Sequence, residues 1–495
     1  MRNQVQLITY VDRLGGTLSG LEGLLQGPLA GLFGGVHLLP FFDPIDGADA
    51  GFDPIDHTAV DRRLGSWADV AALARGTELM ADVIVNHVSS RSAQFRDFAA
   101  NGATSAYAGM FLAFDKVFAD GASERDLLAI YRPRPGLPFT AMTFADGSRR
   151  LLWTTFTAEQ VDIDVTHPRG MEYLESILRV LAANGIRMIR LDAVGYAIKK
   201  AGTSCFMLPE TFEFIHGFTR RARQHGLEVL VEVHSHFEQQ IEIARQVDWV
   251  YDFALPPLVL HAFTSGTARH LRNWIAVRPR NAVTVLDTHD GIGIIDVGAG
   301  ERDGTVRPGL VPDAELARLV DGIHANSNGE SLRATGAAAS NLDLYQVNCT
   351  FYDALGRDDL RYLLCRAIQL FLPGIPQVYY VGLLAGTNDV PLLARTGVGR
   401  DINRHHYTRG EIDVALERPV VKRLLALIRL RNTHPAFSGE FAVSDTTDDA
   451  LDLRWRSGKE FAHLHVNVRT CAYRLEYSET EGTRQLALAD DEAAS

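Results

Sequence analysis

A chain of 495 residues, 46% hydrophobic and 22% charged, is ordinary for a soluble enzyme and can bury a large core. Its formal net charge of −12 argues against nucleic acid or an anionic membrane surface as partner, since both need clustered Lys and Arg, and favours a neutral substrate. The first ten residues lack the apolar core of a signal peptide and no run of about 18 apolar residues occurs, so neither export nor membrane spanning is expected. Cys205, Cys349, Cys365 and Cys471 form no CxxC pair and no metal-ligand spacing, which reads as reduced thiols in a cytoplasmic protein.

In chain order, β-like runs fall at Val5 to Tyr10, Gly35 to Phe42, Leu79 to His87, Ile186 to Asp192, Glu228 to Val233, Trp249 to Ala254, Val283 to Asp287 and Val378 to Leu383. Helical patterns lie between several of them, at Arg169 to Ala183, Glu210 to His225, Phe237 to Val247 and Asp358 to Phe371, and Gly185 and Gly226 stand where helices close. Strands alternating with helices imply a parallel sheet, and eight units imply an α/β fold of the closed (β/α)8 TIM-barrel type.

Two insertions interrupt the alternation. Residues 88–167 hold the Pro-rich run Tyr131 to Pro138 and read as a small extra domain. Residues 291–355 hold the run Ala337 to Asn348 and read as a mobile lobe over the site. The barrel then comprises 1–87, 168–290 and 356–435, and 436–495 reads as a small antiparallel β domain with an acidic tail.

Arg190 and Asp192 are two apart at a strand end, so their side chains share one face. Glu232 and Asp290 end two further runs, which brings three carboxylates to one mouth. Any one such acid could equally cap the following helix or pair with a lysine. All three at strand ends, with Arg and His beside them, suit glycosyl transfer, in which one carboxylate attacks and another is a proton donor.

The runs Asp82 to His87, Gly185 to Asp192, Glu232 and Leu286 to Asp290 resemble, in order, the four signature regions of the α-amylase family, glycoside hydrolase family 13. The sequence resembles still more closely the sucrose-phosphorolysing branch of that family, through Val5 to Tyr10, Asp46 to His57, Tyr131 to Gly136, Val250 to Pro257 and Arg400 to Arg404. The resemblance implies Asp192 as nucleophile, Glu232 as general acid and base, and Asp290 as the carboxylate that stabilises the transition state. Retention then requires the first two carboxyls to lie roughly 5 to 5.5 Å apart. Arg190 is expected to lower the pKa of Asp192, and Glu232 to have a raised one.

The resemblance further implies that Asp49, His87, His289 and Arg400 hold the glucosyl hydroxyls, with Phe52 and Tyr196 as an aromatic wall; ordinary core packing is the alternative for both rings, and a structural histidine for His87. Inorganic phosphate beside three carboxylates needs a local cation, for which Arg134 is the candidate, assisted by Tyr345 and His234; a solvated loop charge is its alternative. Leu342, Asp343 and Gln346 resemble fructose-side residues, with Asp343 presented to fructose and withdrawn for phosphate.

Gly195 and Tyr196 stand where many amylases have Lys-His, which removes part of their calcium site although Asn86 remains, and Thr288 replaces a common Asn. No metal and no cofactor are expected. The implied substrates are sucrose and inorganic phosphate, the products α-glucose 1-phosphate and fructose, and the assembly a homodimer. A sucrose hydrolase or transglucosidase, and phosphorylases releasing glycerol, glycerate or fructose 6-phosphate, are the rival expectations.

Overall fold

The computed structural model describes residues 1–47, 49–132, 136–302, 305–336, 346–480 and 482–489. Eight parallel strands close into a barrel: β1 (Gln6–Thr9), β2 (Gly35–Leu38), β3 (Glu78–Ile84), β4 (Met188–Asp192), β5 (Glu228–Val231), β6 (Trp249–Asp252), β7 (Ala282–Thr284) and β8 (Ile375–Tyr379). The ring is sealed where β1 pairs with β8, Gln6 opposite Gln377. Seven of the eight expected runs coincide with these strands. The last is shifted: the strand starts at Ile375 and carries Pro376 opposite Thr284, while Tyr380–Leu383 turns into a helix. Proline at a strand start forfeits one ladder N–H and is tolerated there.

Alternation along each strand sorts two cores. Met80, Met188, Leu230, Tyr251, Phe253, Val283 and Val285 fill the lumen, as the interior layers of such a barrel require. A much larger apolar cluster lies between the strands and the outer helices, for example Ile177, Leu178 and Leu181 of the helix Pro168–Ala183. That helix begins with Pro168 in its first turn, under the side chain of His167, which accepts from the Arg169 N–H.

Between β3 and β4, His87–Ser89 pairs antiparallel with Gln160–Asp162, and a hairpin is built from Phe139–Thr143 and Arg149–Trp153. Leu112, Phe118, Ile130, Trp153 and Cys205 form a small core there. Between β7 and β8, Ile292–Gly293 pairs with Gln346–Val347, and the helix Asp313–Asn326 packs beside the barrel helix Leu255–Ser265. After the helix Pro419–Thr433 the chain forms a five-stranded antiparallel meander from Glu440–Val443 to Gly482–Gln485. Trp455 of this sheet donates its indole N–H to the Phe371 carbonyl, 2.6 Å away, at the end of the helix Asp359–Phe371.

Candidate active site

Arg190 occupies the centre of the barrel mouth. Met188 below it is apolar and two residues on stands Asp192, so strand alternation turns all three side chains inward. Its side chain is almost wholly buried, and the guanidinium spreads over three acids. Nη1 pairs with Asp82 and, at 3.1 Å, with Asp192; Nη2 lies 2.6 Å from Glu232. Asp82 comes from the neighbouring strand, in register with Arg190, and His37 Nε2 stands 3.1 Å from its other oxygen. Burial works against ionisation of Asp82, but Arg190 and His37 bring it down to about 2.

Asp192 behaves differently from the sequence expectation. Burial and the Glu232 carboxylate push its pKa well up, and Arg190 opposes them without prevailing, because that one cation is divided among three carboxylates. Directly after Asp192, Ala193 has φ 54°, a left-handed backbone that L-residues seldom adopt. The strand therefore stops abruptly and the chain turns into Val194–Tyr196.

Asp290 faces two arginines. Arg400 Nη1 is 2.7 Å from its Oδ1 and Arg404 Nη2 is 3.9 Å away. Burial opposes its charge, but Arg400 and then Arg404 drive its pKa far down. The loop is pinned from behind: Arg404 Nε donates to the His289 carbonyl at 2.9 Å, Asn403 Nδ2 to the Thr288 carbonyl at 2.9 Å, and the Asp290 N–H to Thr288 Oγ1 at 3.2 Å. His289 lies flat on Phe52, with centroids 4.9 Å apart at 10°, and burial keeps its imidazole neutral. The Arg190 guanidinium carbon lies 5.5 Å from the Phe52 ring centroid.

His87 Nε2 donates to the Phe52 carbonyl at 2.9 Å, which links the ends of β3 and of the loop after β2. Asp49, at the rim of that loop, is near enough to Arg404, Tyr10 and His87 to act on their charge. Tyr196 sits among Phe156, Phe206 and Tyr131, at 5.2, 4.7 and 6.2 Å between centroids.

Behind this wall, Asn86 Oδ1, Asp162 Oδ2 and the Tyr196 carbonyl converge on one ammonium. Lys199 Nζ is 2.7 Å from each of the first two and also donates to the third. The oxygen cluster that Asn86 belongs to thus holds a cation of the protein's own, with the Lys199 side chain 1% exposed.

His234 stacks on Phe253 at 3.9 Å and its Nδ1 lies 2.9 Å from Asp296, which also accepts from the Ser235 N–H at 3.1 Å and Gln240 Nε2 at 2.8 Å. Burial disfavours its cation, yet Asp296, with Glu232 and Asp290 beyond, raises its pKa overall. Gln346 joins His234, 3.2 Å from its Nε2, to the Gly291 N–H at 3.2 Å and to Arg400 at 3.5 Å. The structure thus gathers Asp192, Glu232, Asp290, Asp49, Phe52, His87, Arg190, Tyr196, His234, His289, Gln346 and Arg400 around one mouth. Arg134, Leu342, Asp343 and Tyr345 lie outside the described residues. Asp82, Phe156, Lys199, Asp296 and Arg404 were not singled out from sequence; of these only Asp82 and Arg404 carried a signal, as ends of two recognised motifs.

Residues 16–279 match the α-amylase catalytic-domain family. The chain is 62% identical to a sucrose phosphorylase of Agrobacterium vitis over 94% of its own length and 95% of that protein's. The chain belongs to the α-amylase family. A second relative in this family, a sucrose phosphorylase of Bifidobacterium adolescentis, is 57% identical over 94% and 92% of the two lengths. The crystal structure of a sucrose 6F-phosphate phosphorylase from Thermoanaerobacter thermosaccharolyticum superposes with a TM-score of 0.89, at 38% identity and 98% coverage of each chain.

Proposed function

We infer that this α-amylase-family enzyme transfers glucosyl groups by the reversible, retaining phosphorolysis of sucrose to α-D-glucose 1-phosphate and D-fructose. The observation that carries the reading is likeness along nearly the whole chain to two sucrose phosphorylases, 62% and 57%, against 38% for the relative named for a phosphorylated sugar.

The geometry supports a specific division of labour. Asp192 and Glu232 share the Arg190 guanidinium, which holds both carboxyls at the barrel mouth. As general acid, Glu232 gives a proton to the glycosidic oxygen as fructose leaves, while the Asp192 carboxylate attacks the anomeric carbon and forms a β-glucosyl ester. Asp290, held ionised by Arg400 and Arg404, faces the positive charge that grows on the sugar ring. Phosphate then attacks from the fructose side, and Glu232 takes its proton. His234, made more basic by Asp296, contributes positive charge on that side, and Arg134 is the further candidate. Phe52, backed by His289, offers the sugar an apolar face, and Asp49, His87 and Arg400 its polar contacts.

Among the described residues no helix is long and apolar enough to cross a membrane. A cytoplasmic homodimer is proposed by family analogy, and sedimentation equilibrium tests the dimer.

The deciding experiment incubates the protein with sucrose, with and without phosphate, and quantifies glucose 1-phosphate, glucose and fructose. Phosphate-dependent glucose 1-phosphate with equimolar fructose is expected. Glucose and fructose released equally with or without phosphate would identify a hydrolase, and no consumption would direct the test to glycerol, glycerate or phosphorylated-sugar glucosides.

A further inference from the structure

On the outer wall of the barrel three helices bring together side chains that the sugar chemistry does not use. His261 lies on Leu255–Ser265, His270 on Arg269–Val277 and Glu315 on Asp313–Asn326, the last belonging to the segment between β7 and β8. The histidines are 2% and 8% exposed. Each of the three residues offers one ligand atom, and the three atoms lie within 4.8 Å of one another. His261 Nε2 is 2.8 Å and His270 Nε2 3.4 Å from Glu315 Oε2, and His270 Nε2 is buried without a hydrogen bond.

A buried ring nitrogen that points at a carboxylate and bonds nothing is costly unless something else engages it. We propose that His261, His270 and Glu315 form a Zn2+ site that fastens the β7–β8 segment to the barrel wall.

Two imidazoles and a carboxylate are the donor set of a borderline divalent cation. Tetrahedral Zn2+ with bonds of about 2.0–2.1 Å sets its ligand atoms about 3.3 Å apart, inside the range seen here, and water fills the fourth position. Ser265 Oγ lies 3.4 Å from His261 Nδ1, placed to hold the ring as an outer partner. Glu315, with its side chain 23% exposed, gives the ion a route from solvent. The ligands come from both sides of a boundary: the first two helices follow β6, and the third precedes the strand that carries Gln346 into the active site. The site departs from the sequence expectation of a metal-free protein, and it stands whether or not the sucrose reading holds.

The test is a calorimetric titration of the chelator-treated full chain with Zn2+, repeated with Co2+ while visible absorption is recorded. One equivalent is expected, with the intense bands of four-coordinate Co2+, and Zn2+ raises the Tm. His270→Ala and Glu315→Gln each weaken binding at least about tenfold. Glu315→Gln is nearly isosteric, so it keeps the test decisive should His270→Ala fold poorly. Absence of a saturable one-equivalent site overturns the proposal. Binding unchanged in both variants does so too.

Discussion

Arg190 Nη2 lies 2.6 Å from Glu232 Oε1, so the proposed proton donor is tied to the same guanidinium that touches the proposed nucleophile. Arg190→Lys keeps the charge but loses the fork that serves three acids at once. We expect turnover of sucrose to fall about 100-fold or more, on the scale of losing one preorganised electrostatic contact. Arg190→Met should in addition destabilise the fold by about 3–5 kcal/mol, since Asp82 stays buried without its cation. Steady-state kinetics and denaturant titration separate the two effects, and a Lys variant with wild-type turnover would refute the shared-fork reading.

Leaving-group chemistry distinguishes the two carboxyls. Fluoride departs from α-glucosyl fluoride with little need of a proton, whereas fructose needs one. Glu232→Gln should therefore lower sucrose turnover by about 100- to 10,000-fold, the range of general acid catalysis, and cost far less in the first step with the fluoride. Asp192→Ala should abolish both. Burst measurements on the two substrates check this, and equal losses for Glu232→Gln on both would count against its role as acid.

The raised pKa of Asp192 makes a prediction about stability against pH. In the unfolded chain an Asp carboxyl titrates near 3.9, and burial with the neighbouring Glu232 places the folded value higher. Folding thus favours the protonated form: this group's contribution is full below about pH 3.9 and is lost as pH rises through the folded value. Asp192→Asn cannot lose a proton, so its Tm should exceed that of the parent at neutral pH and depend less on pH above about 4. Scanning calorimetry across that range is the check, and parallel curves would refute it.

Lys199 supplies a case in which two harmful changes should partly cancel. Lys199→Met leaves the buried Asp162 carboxylate without its ammonium, a loss of about 3–5 kcal/mol. Asp162→Asn alone strands the ammonium. Together they leave a neutral pocket, so the double variant should be more stable than the sum of the singles predicts. Because Lys199 also fixes the Tyr196 carbonyl and Asn86 beside His87, the KM for sucrose should rise more than kcat falls in Lys199→Met.

How much of this could be read beforehand depends on the range of the interaction. Asp192, Glu232 and Asp290 announce themselves because each ends an apolar run, a local pattern. The expected run Val378 to Leu383 begins three residues after the observed strand, which starts at Ile375, because the apolar pattern continues through Tyr380–Leu383 where the chain already turns into a helix. Asp82 and Arg190 are 108 positions apart, Arg404 and His289 115, and Lys199 and Asn86 113. Nothing local marks such pairs, since each residue taken alone is an ordinary charged or polar side chain. The direction of the Asp192 shift was missed for the same reason: Arg190 was counted as its private partner, when Asp82 and Glu232 draw on it as well.

The seam where Gln6 meets Gln377 has a consequence for synthesis on the ribosome. β1 leaves the ribosome before the rest of the barrel, and β8, one of its two neighbours, follows only after about 370 further residues. During that interval β1 presents one unpaired edge to the cytosol of any expressing cell, and loop closure over such a distance is slow. Aggregation of the nascent chain, and relief by chaperones that shield strand edges, should therefore track how long translation pauses before Tyr379.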